Sequence, residues 1–429
     1  MNDLSPISGS FFAEAHPKAP LAGRKVLIIV ENLPVPFDRR VWNKARTLRS
    51  AGAQVVVICP TGMGCEARYQ IMDGIHIDRH TLPIDASPAR GYLLEYGAAL
   101  FHELRLALKV AWRHGFDTIH AGNPPDLIFF VALPFKLIGK RFIFDHYDIN
   151  PELYEAKFGR RDFFWRLMLR LERWTFRLAD VVISTNQSYR KIAMERGDVA
   201  PEDIFVVRSG PALARLSTPS PNLALRNGRR HMVGYVGVIG DEEGVDLLLD
   251  AARILVHEHG EDVQFVLVGG GPSLEGLQQM ATRLGLDDHV TFTDRAPDTV
   301  LFEVLATSDV CVNLDRFNAM NDKSTMNKVL EYMAFARPIV QFDVTEGRYS
   351  AAGASLYARP NDTRDLADRI LEVLRDPRRA AEMGAVGRQR IETSLSWDHQ
   401  IDTLIAAYRH AAAKRPGCRR TAGTTRRTA

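Results

Sequence analysis

Cysteine is scarce in this chain. Its 429 residues hold four, Cys59, Cys65, Cys311 and Cys418. Thiols so far apart form neither a disulfide scaffold nor a closely spaced metal-ligand pair, and a reducing, cytoplasmic setting fits them. Long apolar runs are missing too. The first, VLIIV at 26–30, is far short of the roughly 20 residues of a membrane span, so any membrane contact is expected to be peripheral. Residues 1–23 are polar and Pro-containing and do not read as a secretion signal. A strong charge balance is absent as well: the net charge is +3, and Lys414, Arg415, Arg419, Arg420, Arg426 and Arg427 crowd an acid-free end, leaving the rest slightly acidic. That argues against a dedicated nucleic-acid binder, which would carry its charge on a folded face. What remains, 46% apolar and 25% charged, is the composition of an ordinary globular protein long enough for two domains.

The apolar pattern reads as α/β twice over. Residues 25–30 form a buried parallel strand. A loop with Pro34 and Pro36 follows, then a helix over 39–51 and a strand over 54–59, which is a β-α-β unit. Further strands are expected at 118–120, 141–145, 181–184 and 204–207. The Pro- and Ser-rich stretch 213–230 reads as a linker. A second set begins at 231, with VGYVGVIG, QFVLVGGGP, VTFT, DVCVNL and PIVQFD as strands and helices over 365–374 and 397–410. Gly269 and Gly271 alone do not make a dinucleotide fingerprint, because the third glycine is missing. The expected division is a flexible segment 1–23, a first domain 24–212 completed by 395–412, a second domain 231–394, and a basic disordered tail 413–429.

One stretch carries the chemistry, NDKSTMNKVLEYMA at 321–334. Met326, Val329, Leu330 and Met333 recur at the spacing of one buried helix face, while Ser324, Lys328 and Glu331 share the polar one. Ser324 and Thr325 are helix-capping residue types. A helix start with hydroxyls, N–H groups and Lys323 nearby suits a nucleotide diphosphate, and Glu331 can accept hydrogen bonds from two ribose hydroxyls. The alternative is a solvated surface pair of Lys328 and Glu331.

The stretch resembles the donor-binding motif of family-4 glycosyltransferases, in which two acidic residues lie eight apart and an EYMA-like segment precedes a Pro-hydrophobic strand. Glu331 matches the second acidic position. The first falls on Lys323, and the Gly usual two residues ahead of the Pro falls on Ala336. The resemblance covers nearly the whole chain, through ENLPVPFDRRVWNKARTLRSAGAQVVVICP, IHAGNPPDL, FDHYDINPELYEAKF, YVGVIGDEEGVDLLLDAA, FVLVGGGP and SLYARPND. Within the family it is most like the WbuB-like transferases of bacterial surface-polysaccharide assembly.

Together the doubled pattern and the resemblance imply the GT-B fold: two Rossmann-like α/β domains facing across a cleft, with the C-terminal helix crossing back to the first. The implied activity is transfer of a sugar, with retention, from a nucleotide sugar, UDP-linked, to a lipid-linked or saccharide acceptor in exopolysaccharide, O-antigen or capsule assembly. No metal and no other cofactor is implied. The setting is the cytoplasm or the inner membrane face. The second domain would hold the donor through Gly237, Gly269, Gly271, Arg295, Lys323, Ser324, Lys328 and Glu331, with Arg39 and Arg40 reaching across. Two features of relatives are absent. Their diphosphate-holding Arg and Lys fall on Val238 and Glu243, and a site His two residues beyond His120 falls on Gly122. Lys323, Lys328 and Arg39 or Arg40 are the expected replacements, because leaving-group charge still needs stabilising.

Asn123, Asp126, Asp145, His146 and Glu152 follow strand ends in the first domain and are the acceptor-side candidates. His146, Asp148 and Lys323 are the catalytic candidates, His146 as a proton carrier. Capping the next helix is the structural alternative for Asp148. No nucleophile is identified, so no covalent mechanism is assigned. Between 152 and 180, Phe158, Phe163, Phe164, Trp165, Met168, Leu171 and Trp174 alternate with Arg160, Arg161, Arg166, Arg170, Arg173 and Arg177. This is either a partly buried helix with arginines in water or a helix lying in a membrane interface, and residues 90–114 carry a weaker version. Two other functions compete: a GT-B nucleotide-sugar epimerase, and a degenerate non-catalytic nucleotide-binding scaffold.

Overall fold

The computed structural model describes residues 19–81, 89–216 and 219–414. The chain forms two compact units. One joins the residues up to Val207 with those from Ile401 on, and the other is Arg208–Gln400.

The first unit is built on strands β1 (Lys25–Ile29), β2 (Gln54–Pro60), β3 (Tyr69–Met72), β4 (Ile75–His80), β5 (Thr118–Gly122), β6 (Arg141–His146), β7 (Val181–Ser184) and β8 (Ile204–Val206). They lie in the order β3-β4-β2-β1-β5-β6-β7-β8. Runs such as KVLII and VVIS are buried almost throughout, as a parallel sheet covered on both faces requires. The exception is the antiparallel pair β3 and β4, an edge hairpin beyond the expected strands. Its turn is Asp73-Gly74, both at positive φ, the dipeptide that two-residue hairpin loops favour. Sequence order reverses between β1 and β5, so the loops after them diverge and leave a crevice at the carboxyl end of the sheet.

Helix Arg39–Ser50 follows β1. Asp38 caps it by accepting from the Val41 N–H at 3.1 Å, and Val41, Trp42, Ala45 and Leu48 are its buried face. The C-terminal helix Ile401–Ala413 packs on β6, β7 and β8 of this unit. Two segments expected to be loose are tied down where they are described. Leu21 is buried and donates its N–H to the Ala51 carbonyl at 2.9 Å, and Lys414 donates to the Asp180 carbonyl at 2.6 Å. The remainder of those segments, 1–18 and 415–429, lies outside the described residues.

The second unit carries β9 (His231–Val236), β10 (Val263–Val268), β11 (Val290–Phe292), β12 (Val310–Asn313), β13 (Ile339–Phe342) and β14 (Ser355–Ala358), all parallel, in the order β11-β10-β9-β12-β13-β14. Its reversal lies between β9 and β12. Leu248, Leu249, Ile370 and Leu374 pack on one face of the sheet, and Val304, Leu305, Leu330 and Met333 on the other. The stretch 213–230 is not a free linker. Leu213, Leu216 and Leu225 pack against the second of these clusters, and Arg226 donates to Asp309 at 2.7 Å.

Helix Asn327–Ala334 ends on Ala336, whose φ is +53°, with the Arg337 N–H returning to the Tyr332 carbonyl at 3.0 Å. An L-residue is strained there, which explains why a Gly is usual at this place. Ala336→Gly should therefore stabilise the second unit by about 0.5–1 kcal/mol, seen as a rise of about 2–4 °C in thermal unfolding. Gly384→Ala should lower the same midpoint, since its Cβ would lie 2.1 Å from the Ala336 carbonyl oxygen.

Candidate functional site

In the second unit the loops after β9 and β10 pass backbone on backbone. A Cβ on Gly269 (φ +146°) would fall 1.7 Å from the Gly237 carbonyl oxygen, and one on Gly271 would fall 2.3 Å from that of Ile239. Both glycines are thus demanded by loop packing at the strand ends. Lys328, in the first turn of helix Asn327–Ala334, lies beside them. A Cβ on Gly237 would meet its Nζ at 3.4 Å. That Nζ donates to Asp315 Oδ1 at 3.2 Å and stands 5.0 Å from the centroid of the Tyr235 ring.

Both charges are largely buried, with side chains 12% and 7% exposed. Burial works against the ammonium, but Asp315, Tyr235 and Glu243 outweigh it and raise the Lys328 pKa, so the group stays cationic. Burial pushes the Tyr235 hydroxyl up to about 12, and it donates to the Val238 carbonyl at 2.8 Å. Burial likewise raises the Glu243 carboxyl despite the pull of Lys328. Asp315 Oδ2 is buried and has no hydrogen-bond partner among the described residues, which leaves an acceptor there.

The expected hydroxyl cap is not formed, because the helix starts later than the sequence suggests. Met326 occupies the cap position and makes no side-chain cap bond. Ser324 donates back to the Met320 carbonyl at 2.8 Å, and Thr325 accepts from Arg208 at 3.2 Å. Buried Arg208 also pairs with Glu346 at 3.1 Å beneath the Tyr349 ring, which fixes the loop ahead of the helix. Lys323 sits on the turn Asn321–Lys323 and donates to the Ala319 carbonyl at 3.0 Å, turned onto its own loop. Glu331 is half-buried one turn beyond Lys328, on the same side of the helix. Arg295 is exposed beside Gly270. Of the donor-side candidates, Lys328, Arg295 and the three glycines lie at the strand-end loops, and Glu331 follows Lys328 by one turn on the helix.

In the first unit most acceptor-side candidates are buried and committed to other partners. Asp145 pairs with Lys44 and accepts from His120 Nε2 at 3.0 Å, and His120 Nδ1 accepts from the Tyr408 hydroxyl at 2.7 Å. Burial alone would raise the Asp145 carboxyl, but Lys44 and His120 hold it well below the usual range. This buried network ties helix Ile401–Ala413 to the sheet, with Asp145 Oδ1 left without a hydrogen-bond partner among the described residues. Asn123 is a bracket between loops: its oxygen accepts from the Tyr147 and Asp148 N–H groups at 3.2 Å each, and its nitrogen donates to Asp126 at 3.0 Å. Asp126 is buried, which pushes it to about 6, with Glu172 adding to the effect.

His146 is fully buried among Phe144, Phe176 and Tyr189, and burial lowers it to about 4. A neutral imidazole walled off in this way is not a proton carrier for a substrate. Glu152 is paired with Arg196 at 3.2 Å. Asp148 does not cap the following helix, whose cap position is Ile149; it stays half-buried, raised by burial against the pull of Arg40. Arg39 is exposed. Arg40 is not extended: its guanidinium lies on the Tyr147 ring at 3.5 Å, 3.8 Å from Asp38.

Tyr147 explains the missing histidine. A Cβ on Gly122 would lie 2.1 Å from Tyr147 Cε1, so the ring occupies the space that a side chain at 122 would need. Arg40, Tyr147 and Asp148 therefore line the crevice where a His was expected. Tyr147, Tyr235 and Asp315 were not among the expected site residues, and nothing in their spacing marks them. Lys44 did carry a signal, a charge at i+3 from Val41 on an otherwise apolar helix face. Gly122→Ala should destabilise the first unit by about 1–3 kcal/mol. Combined with Tyr147→Leu it should cost less than the sum of the two single changes, by thermal unfolding; additive losses would mean that the ring and position 122 do not compete.

Residues 38–215 match the family model described as Glycosyltransferase Family 4, and residues 230–376 that described as Glycosyl transferases group 1. The 2-deoxystreptamine glucosyltransferase of Streptomyces kanamyceticus is 24% identical over 260 residues, 58% of this chain and 65% of that protein. The chain spans about half to two thirds of the length of the curated relatives it matches. Among solved structures, sucrose-phosphate synthase from Thermosynechococcus elongatus superposes with a TM-score of 0.76 at 18% identity, over 91% of this chain and 99% of the other. Anabaena HepE in complex with UDP-glucose gives 0.69 at 18% identity, over 90% and 99%. The fold is GT-B, and with the two family models it supports one assignment, a glycosyltransferase of the family-4 type.

Proposed function

We propose that this chain transfers a sugar, with retention, from a UDP-linked donor to a lipid-linked or saccharide acceptor in surface-polysaccharide assembly of the WbuB-like kind, working at the cytoplasmic membrane face without a metal. The observation that carries the donor side is Lys328, a buried ammonium held by Asp315 next to the Gly237 and Gly269 backbones at the topological switch point of the second unit. Ligands bind such sheets at the carboxyl-end switch point, and a helix start with no side-chain cap directs N–H groups there. A diphosphate in that place would draw the ammonium, whose charge then stabilises the leaving group as the glycosidic bond breaks. Glu331, on the same side one turn on, suits the ribose hydroxyls. The UDP-glucose complex of Anabaena HepE supports the choice of base class. Arg40 and Asp148 are the proposed acceptor-side groups, since they remain partly exposed in the first unit's crevice.

Kinetics test this reading, with a polyprenyl-diphosphate-linked sugar as acceptor and a panel of UDP-hexoses as donors. Lys328→Met/Asp315→Asn removes both charges together, so that neither is left buried alone. It should lower the rate at which UDP is formed at least about 100-fold, and Glu331→Gln should raise the donor KM about tenfold. Unchanged turnover in both variants would contradict the assignment. Donor consumption without acceptor would favour an epimerase instead.

A further inference from the structure

Three helices pack side by side on one face of the first unit's sheet: Ala89–Arg113, Phe129–Leu137 and Phe163–Leu178. Their inner sides are filled as expected, by Leu106, Ala107 and Val110, by Val131 and Phe135, and by Phe176. Their outer sides are not those of an ordinary surface. Trp112 is 85% exposed, Leu137 79%, Ile138 69%, Phe163 66%, Phe101 64% and Phe164 52%. Single exposed apolar side chains are common, but the largest ones gathered on three neighbouring helices make a patch that calls for an occupant.

Charge identifies the occupant. Arg105, Arg113, Arg166 and Arg170 are exposed among these rings. The described acidic side chains of the three helices, Glu103 and Glu172, are both buried. Among the described side chains of these helices the outward charge is therefore of one sign. A second copy of the chain would bring positive against positive, whereas anionic headgroups match it, and aromatic rings flanked by arginine suit the boundary between headgroups and acyl chains. No described helix is long and apolar enough to cross a membrane.

We propose that this three-helix face docks the first unit on an anionic lipid bilayer, with Trp112, Leu137 and Ile138 toward one end of the helices and Phe163 and Phe164 toward the other entering the interface while the arginines meet lipid phosphates. The proposal deepens the membrane setting of the reading above. Its test needs neither donor nor acceptor, so its failure would leave sugar transfer standing.

The full-length chain is sedimented with vesicles of phosphatidylcholine alone or with about one phosphatidylglycerol in three. Binding is expected only to the anionic vesicles and should be lost in high salt. Arg166→Gln/Arg170→Gln should weaken it about 25-fold, at about fivefold per arginine. Trp112→Ser/Leu137→Ser/Ile138→Ser should weaken it at least about tenfold. Thermal unfolding of the arginine variant, altered only at exposed positions, should be unchanged. Absence of wild-type binding, or equal binding by both variants, overturns the proposal. So does a concentration-dependent dimer abolished by the same substitutions, which would assign the face to a second copy.

Discussion

A charge taken out of water at the end of a parallel strand must find its counter-charge within reach, because burying it alone costs several kcal/mol. Both units are arranged around that constraint. In the first, Lys44 from the middle of helix Arg39–Ser50 meets Asp145 near the end of its strand, and His120 and Tyr408 extend the network to the C-terminal helix. All four side chains are buried, so the network's work is structural. In the second, Lys328 and Asp315 form the same kind of pair. There the pair borders glycine loops and a helix start without a side-chain cap, the setting in which we propose that its ammonium meets a ligand. On that proposal the same physical solution serves cohesion in one unit and recognition in the other.

The departures from the family pattern have local physical causes. Gly122 makes room for Tyr147, and Arg40 covers that ring. Three features that look separate in the sequence, a glycine in place of a histidine, a tyrosine and an arginine, are one packing arrangement. The exchange of a basic residue for Glu243 is offset in a similar way, since burial favours its neutral form and Lys328 lies close enough to counter what charge it carries. Ala336 shows the opposite case. The backbone keeps the left-handed turn that a glycine would make easily, and alanine bears the strain.

Much of the fold was legible in the sequence because buried parallel strands are nearly continuous apolar runs, and VVIS and QFVLV read as nothing else. The edge hairpin was not, since the runs at Tyr69–Met72 and Ile75–His80 mix polar and apolar residues on an exposed edge; only its Asp-Gly turn gave a signal. At the site, sequence spacing put Lys328 and Glu331 on one helix side. It also drew attention to Asn123, Asp126, Asp145 and Glu152, which lie at or just beyond strand ends and yet are held by partners remote in sequence, and to His146, which is walled in by aromatic rings with no hydrogen-bond partner among the described residues. A polar residue after a strand looks the same whether it meets substrate or Lys44 from another helix. That distinction is a property of tertiary packing, and Asp315 and Tyr235 were hidden for the same reason.

The central claim is that the second unit's strand-end site, built on Lys328, holds a nucleoside diphosphate. Isothermal titration calorimetry of UDP, GDP and ADP into the full-length chain tests it most directly. The predicted result is one site per chain that takes UDP in preference to the other two, with the affinity falling as salt rises because charge meets charge there. Absence of binding by all three nucleotides would contradict it and would leave Lys328 and Asp315 as a structural pair like Lys44 and Asp145.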